Sequence, residues 1–275
     1  MGSDRRGLRR AVKAAAAAVD VLRAPPTGVV VLLYHRVGGG TDLDVNLPVE
    51  LFEQQVEELA TTGRVVPLAV ALEQLCGGSP SDLGAPAIVV TFDDGSHDFT
   101  ELAVPVLVRY GLPVTLYAAT SFIERGEPFA HGAAPLSWSA LADACATGLV
   151  DVGSHTHRHR LLDRASRAEV VDELDRSIEL IGSRLGRPAL DFAYPKALGA
   201  RGENEREVRQ RFRSAAVAGT RPNLVGRADV HRLARSPIQR SDGMQWFRKK
   251  VAGGLAFEDS LRNAANRVRY ARART

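Results

Sequence analysis

The chain has 275 residues, 45% of them hydrophobic and 25% charged, with a formal net charge of +4 at pH 7. No stretch approaches the ~20 consecutive apolar residues that span a bilayer, and its two cysteines, Cys76 and Cys145, form neither a metal-like pair nor a disulfide framework. The composition is that of an ordinary globular protein with one large core or two modest ones, and no internal repeat is present.

The first segment, 1–26, carries Arg5, Arg6, Arg9, Arg10 and Lys13 ahead of an alanine run. It imitates a secretion signal, but Asp20 and Arg23 interrupt the apolar part and no convincing cleavage site follows. An amphipathic helix ending before Pro25-Pro26 is expected, in a cytoplasmic protein that touches a membrane surface. Arg262, Arg267, Arg269, Arg272 and Arg274 load the other end. Basic ends of this kind either meet anionic lipid, phosphate or acidic polymer, or are simply solvated helix faces. No nucleic-acid motif accompanies the charge, so no nucleic-acid partner is expected.

Residues 28–34 then read as a buried strand ending at His35-Arg36-Val37, followed by a glycine loop at 38–40. Leu51, Phe52, Val56 and Leu59 recur at helical spacing within 48–62, and Gly63 stops that helix. A short helix through Leu75 and a loop at 77–86 lead to the β-branched run 87–90 and then Thr91-Phe92-Asp93-Asp94-Gly95. Helices follow at 99–110, 137–147, 167–185 and 203–212, alternating with strands at 113–119, 149–153, 190–194 and 214–218. A further extended piece at 231–238 and two helices, 244–251 and 257–272, close the chain. Such alternation predicts a mainly parallel α/β sheet, closed or wound, with helices outside. The expected division is an extension at 1–26, one barrel domain at 27–242 and a basic helical extension at 243–275.

The unusual polar residues gather at the predicted C-terminal ends of strands: His35, Asp93-Asp94, His155 to His159, and Tyr194-Pro195. That rim is where barrels of this type build active sites. Adjacent carboxylates on a strand project to opposite sides, so one can hold a metal while the other stays free as a base. By itself Asp-Asp-Gly is equally a turn that leaves a sheet. His155 and His159, four apart, suit a helical turn or tight loop presenting two imidazoles to one metal, with Asp94 as third ligand and Asp93 as general base. The alternatives are a polar surface loop flanked by Arg158 and Arg160, or a His157 and His159 pair on a strand. Three ligands with an open position for water form the catalytic pattern, and a bound zinc lowers the pKa of that water toward ~7. Zinc suits the set, as do cobalt and nickel.

Together, residues 91–95, 154–159 and Phe192-Ala193-Tyr194-Pro195 resemble the polysaccharide deacetylase family (the NodB-homology domain, carbohydrate esterase family 4). The opening Leu33-Tyr34-His35-Arg36-Val37 is similar to a branch whose domain is circularly permuted. The resemblance covers roughly 29–238 by order and spacing of motifs. It implies a distorted (β/α)-barrel that hydrolyses the N-acetyl amide of an amino sugar in a glycan or glycoconjugate. It further implies Asp93 as base, Asp94, His155 and His159 as metal ligands, and Tyr194-Pro195 at the substrate. The backbone N–H after the motif proline, here that of Lys196, would stabilise the oxyanion; the family usually has tyrosine there, but backbone donation survives the change. Ala193 stands where the family often has an arginine that orients the base, and Arg235 at the next strand end is the candidate replacement. The family's late Leu-x-His motif is absent, since no histidine follows His231; in the permuted branch the first-strand histidine, His35, is the general acid. A buried structural histidine is its bland alternative. Two other functions stay open: an amidohydrolase of the same fold acting on a non-sugar amide, and a non-catalytic sugar-binding relic.

Overall fold

The computed structural model describes residues 28–38, 40–41, 43–77, 85–130 and 132–255. The helices expected at 1–26 and 257–272, with the charges they carry, lie outside these residues.

The first strand, β1 (Gly28–Tyr34), is buried along its whole length. Its side chains alternate between two apolar environments: Val29 and Val31 join an inner cluster, while Val30, Leu32 and Tyr34 join the outer one beneath the helices. A strand apolar on both faces belongs inside a helix-wrapped parallel sheet. Two short paired strands, β2 (Arg36–Val37) and β3 (Asn46–Leu47), follow, then α1 (Val49–Thr62) and α2 (Leu68–Gly77). The remaining order is β4 (Ala87–Asp94), a π turn (Phe99–Ala103) running into α3 (Val104–Arg109), β5 (Val114–Ala118), α4 (Thr120–Arg125), α5 (Trp138–Ala146) and β6 (Val150–Ser154). Then come α6 (Arg167–Leu185), β7 (Asp191–Ala193), α7 (Gly202–Arg211), β8 (Ser214–Ala218), β9 (Asn223–Leu224), β10 (Leu233–Pro237) and α8 (Gly243–Val251).

Seven strands pair in parallel in the order β10-β8-β7-β6-β5-β4-β1, and β10 pairs back onto β1, closing a barrel. The small antiparallel β9 lies beside the start of β1. Leu68, Ala71, Leu72 and Leu75 of α2 pack with Val29, Ala87 and Leu233, so an apolar helix plugs the N-terminal end of the barrel. Polar side chains are thereby directed to the opposite rim. Gly153 on β6 makes room inside: a Cβ there would sit 2.6 Å from Asp191 O and 2.7 Å from the Tyr117 ring.

The longest helix, α6, has the bounds its periodicity predicts. Ser166 and Glu169 form a reciprocal capping box at its start, and Gly186 ends it in the left-handed conformation. Three features were not legible. The helix expected from 99 begins instead as a π turn, with Pro105 falling in the first turn of α3 where its missing N–H costs nothing. The six-residue α4 and the two-residue strands are too short for a periodic signal. The domain boundary drawn at 243 also needs revision, because α8 is integral to the barrel. Phe247 lies in the main core, and Lys250 Nζ, 1% exposed, reaches Asp242 Oδ2 at 2.7 Å and Pro237 O at 2.6 Å. Among the described residues no helix is long and apolar enough to cross a membrane.

Candidate active site

Strand register assembles the site. Tyr34 of β1 lies opposite Phe92 of β4, so the next residues, His35 just past β1 and Asp93 near the end of β4, come side by side. Asp93 in turn lies opposite Tyr117 of β5, and Ala118 lies opposite Ser154, the residue before His155.

Asp93 is buried, 2% exposed, and held by Arg235 of β10, which is wholly buried. The guanidinium grips it with two hydrogen bonds, Nη1 to Oδ1 at 2.6 Å and Nη2 to Oδ2 at 2.8 Å, the fork geometry that makes such pairs strong. Nη1 also reaches Thr91 Oγ1 at 3.3 Å, and the guanidinium carbon stands 5.1 Å from the centroid of the Tyr117 ring. Burial alone would raise the Asp93 pKa; the charge and hydrogen bonds of Arg235, helped by His155 and His35, outweigh it and hold the carboxyl below its usual value. Asp93 is therefore held as a carboxylate. Arg235, a candidate in sequence, does contact Asp93 directly.

Beside this pair lies the cluster Asp94, His155 and His159, whose candidate ligand atoms all fall within 4.8 Å of one another. His155 Nδ1 sits 2.8 Å from Ala193 O, which makes Nδ1 the protonated nitrogen and leaves the Nε2 lone pair facing Asp94 Oδ1 at 3.7 Å. The residue standing in the expected arginine position thus orients His155 through its carbonyl. His159 Nε2 is 3.5 Å from the same oxygen. Burial first, then the neighbouring His155, pushes the His159 pKa down to about 4, keeping it in the neutral form that metal ligation requires. Two imidazole nitrogens and one carboxylate oxygen, converging on one point, fit a divalent metal of the zinc type.

The loop carrying these histidines is irregular rather than helical. Asp94, Thr156, His159, Lys196 and Ala197 have φ of 73°, 64°, 57°, 56° and 55°, and Leu255 is the one other non-glycine residue among those described with positive φ. Each costs about 1–2 kcal/mol, and strain of this kind gathers where function holds it in place. His157 turns away from the cluster to Thr120 Oγ1 at 3.0 Å, so the His157 and His159 pairing is not what forms. Helix α6 supports the loop through Glu173, which bonds the Arg158 N–H, and through Ser177, which bonds Ser154.

His35 is partly buried, and its Nδ1 is sealed from solvent without a hydrogen-bond partner among the described residues. Burial lowers its pKa, opposed by Asp94 and then Asp93. The next two residues are pinned to the β4 side, the Val37 N–H donating to Asp98 Oδ2 at 2.7 Å and Arg36 Nε to Asp98 Oδ1 at 3.2 Å. The turn after β7 exposes the Lys196 side chain. Its internal bonds, from Ala197 N–H to Tyr194 O and from Leu198 N–H to Pro195 O, do not use the Lys196 N–H. Tyr194 and Pro195 are themselves buried, and the Tyr194 ring packs edge-on against Phe192. In this structure the turn, rather than an exposed tyrosine ring, is what these two residues contribute.

Sequence reasoning missed Thr91, Tyr117, Asp98 and Glu173. Thr91 is legible afterwards as the residue two before Asp93 on the same strand face, and Glu173 as a charge interrupting the apolar stripe of α6. Tyr117 and Asp98 gave no local signal, because both are defined by contacts across the barrel.

The fold and this rim define a closed parallel (β/α)-barrel with a buried Asp93–Arg235 pair beside a cluster of three candidate metal ligands. The family model for polysaccharide deacetylases matches residues 81–217. The chain belongs to the polysaccharide deacetylase family. A poly-beta-1,6-N-acetyl-D-glucosamine N-deacetylase of Staphylococcus aureus is 28% identical over 120 residues, 41% of this chain and 41% of that protein's length. The match therefore spans about two fifths of that relative. Among solved structures, the deacetylase PplD of Streptococcus pyogenes, in complex with acetate, superposes with a TM-score of 0.70 at 21% identity, covering 82% of this chain and 99% of that one. IcaB from Ammonifex degensii gives 0.69 at 24% identity, covering 82% and 97%. Both likenesses establish the barrel.

Proposed function

We propose that the protein is a metal-dependent hydrolase that removes N-acetyl groups from amino sugars, the N-acetylglucosamine units of a glycan or glycoconjugate. Family membership and the named activity of the Staphylococcus aureus relative support the reaction class. One observation carries the mechanism: both oxygens of Asp93 are committed to Arg235, at 2.6 and 2.8 Å, beside the candidate ligand cluster.

A divalent metal held by Asp94, His155 and His159, with zinc preferred and cobalt or nickel suited, supplies Lewis acidity that polarises the acyl carbonyl and acidifies water. Asp93 takes the proton of the attacking water as its oxygen bonds to the acyl carbon. The Lys196 N–H donates to the oxyanion that develops. His35 delivers a proton to the amide nitrogen as the C–N bond breaks, releasing acetate and a free amine. Tyr194 and Pro195 shape the turn that borders the substrate. The permuted arrangement is part of the same proposal, since β1 with His35 precedes the family-matched residues yet pairs directly with β4. So are a cytoplasmic location and contact of the basic termini with an anionic surface.

The acid assignment is tested by His35→Asn, followed by acetate release from short N-acetylglucosamine oligomers. Turnover should fall by roughly 10²–10⁴-fold with bound metal unchanged. Normal turnover in that variant would remove His35 from the mechanism.

A further inference from the structure

The loop from His155 to His159 places both histidines of the ligand cluster, yet left-handed backbone at Thr156 and His159 makes it a poor shape to hold by local preference. Something outside it must fix it. One face packs on the start of α4, whose Thr120 and Ser121 N–H groups donate to Thr156 O at 3.3 Å and His157 O at 2.8 Å. On the other face, one residue of α6 makes three contacts. Glu173 Oε2 accepts from the Arg158 N–H at 2.6 Å, its Oε1 lies 3.5 Å from Arg158 Nη1, and its main-chain carbonyl accepts from the His157 N–H at 3.1 Å. Glu173 is wholly buried in the middle of α6, between Val170 and Leu174 of the main core. A carboxylate in such a position is costly unless its bonds require it there.

We infer that Glu173 is a positioning residue for the metal centre, setting the separation of His155 and His159 through the backbone between them. Its bonds fall on residues 157 and 158, inside the ligand spacing, so loosening them frees His159 relative to His155. Neither ligand is touched by Glu173 itself. The same helix adds a weaker brace, Ser177 Oγ to Ser154 Oγ at 2.6 Å, and Ser154 Oγ accepts from the Thr156 N–H at 3.1 Å. This assignment rests on the ligand cluster proposed above, and its test separates the two.

Zinc is titrated into metal-free protein against a chromophoric chelator, and unfolding of the metal-free protein is measured alongside. Wild type should bind one equivalent. Glu173→Ala should weaken zinc affinity roughly 10–100-fold, the range found when groups that orient ligands are removed. Glu173→Gln keeps an acceptor for the Arg158 N–H but loses the charge facing its guanidinium, so its affinity should fall between those two. Leu174→Ala, at a neighbouring buried side chain that cannot hydrogen-bond to the loop, is the control; it should lose stability and keep wild-type affinity. If Glu173→Ala does not fold, an affinity in Glu173→Gln equal to that of wild type overturns the inference. Equal loss of affinity in Leu174→Ala and the Glu173 variants overturns it too, because general loosening would then account for both. Wild type that binds no zinc refutes the ligand cluster instead.

Discussion

Replacing Asp93 with Asn should abolish acetate release while leaving metal binding intact. The side chain lies 3.7 Å from His155 Nε2 but is committed to Arg235 through both oxygens, which suits the proposed role of base rather than of ligand. An amide in its place cannot accept the proton of water, and loss of a general base costs roughly 10²–10⁴-fold in rate. Zinc affinity should stay within a few-fold of wild type, because Asp94, His155 and His159 are untouched. The variant should also be less stable, since the buried Arg235 loses its counter-charge. Activity near that of wild type would show that another group takes the proton. Lost metal would show that Asp93 is a ligand.

Arg235→Met should have the second large effect, and on two properties at once. It leaves the Asp93 carboxylate buried without its cation, a change that typically costs about 3–5 kcal/mol of stability. Its effect on catalysis follows from the sign of the pKa shift. Burial pushes Asp93 up and Arg235 pulls it below the ordinary carboxylate value, so removing the cation lets burial win and the pKa rises. The base is then protonated over more of the acidic range. The acid limb of the pH dependence of kcat/KM should move to higher pH. Arg235→Lys should shift it in the same direction but less far, because a lysine keeps the charge without the two-pronged grip. A limb that stays in place in a folded Arg235→Met variant would show that the pair is structural only.

Much of the barrel was legible in the sequence, for a physical reason. Strands apolar on both faces and helices of regular periodicity carry their own signal, and the register β1 to β4 to β5 then brings His35, Asp93 and Tyr117 together. Asp94, His155 and His159 were also legible, as residue types whose spacing suits a metal. What sequence could not supply was the direction of each support. Arg235 is 142 positions from Asp93 and reaches it because β10 closes the barrel onto β1. The four-residue histidine spacing suits a helical turn or a tight loop; a loop forms, and its two left-handed residues are braced by Glu173, Thr120 and Ser121 from packed helices. The motif marks Tyr194 for the substrate side, but gives no sign that its ring is buried edge-on against Phe192. Local chemistry was readable; of the contacts that arise on closure, only that of Arg235 was anticipated, and from the family pattern rather than from its own surroundings.

Asp94, His155 and His159 are proposed to bind one metal that N-deacetylation requires. The most direct measurement is acetate release from short N-acetylglucosamine oligomers by metal-stripped protein, with zinc returned in substoichiometric steps. Release should be absent in the stripped protein and rise in proportion to zinc up to one equivalent. Acetate release undiminished after stripping, or none from any oligomer at full zinc occupancy, would contradict the account.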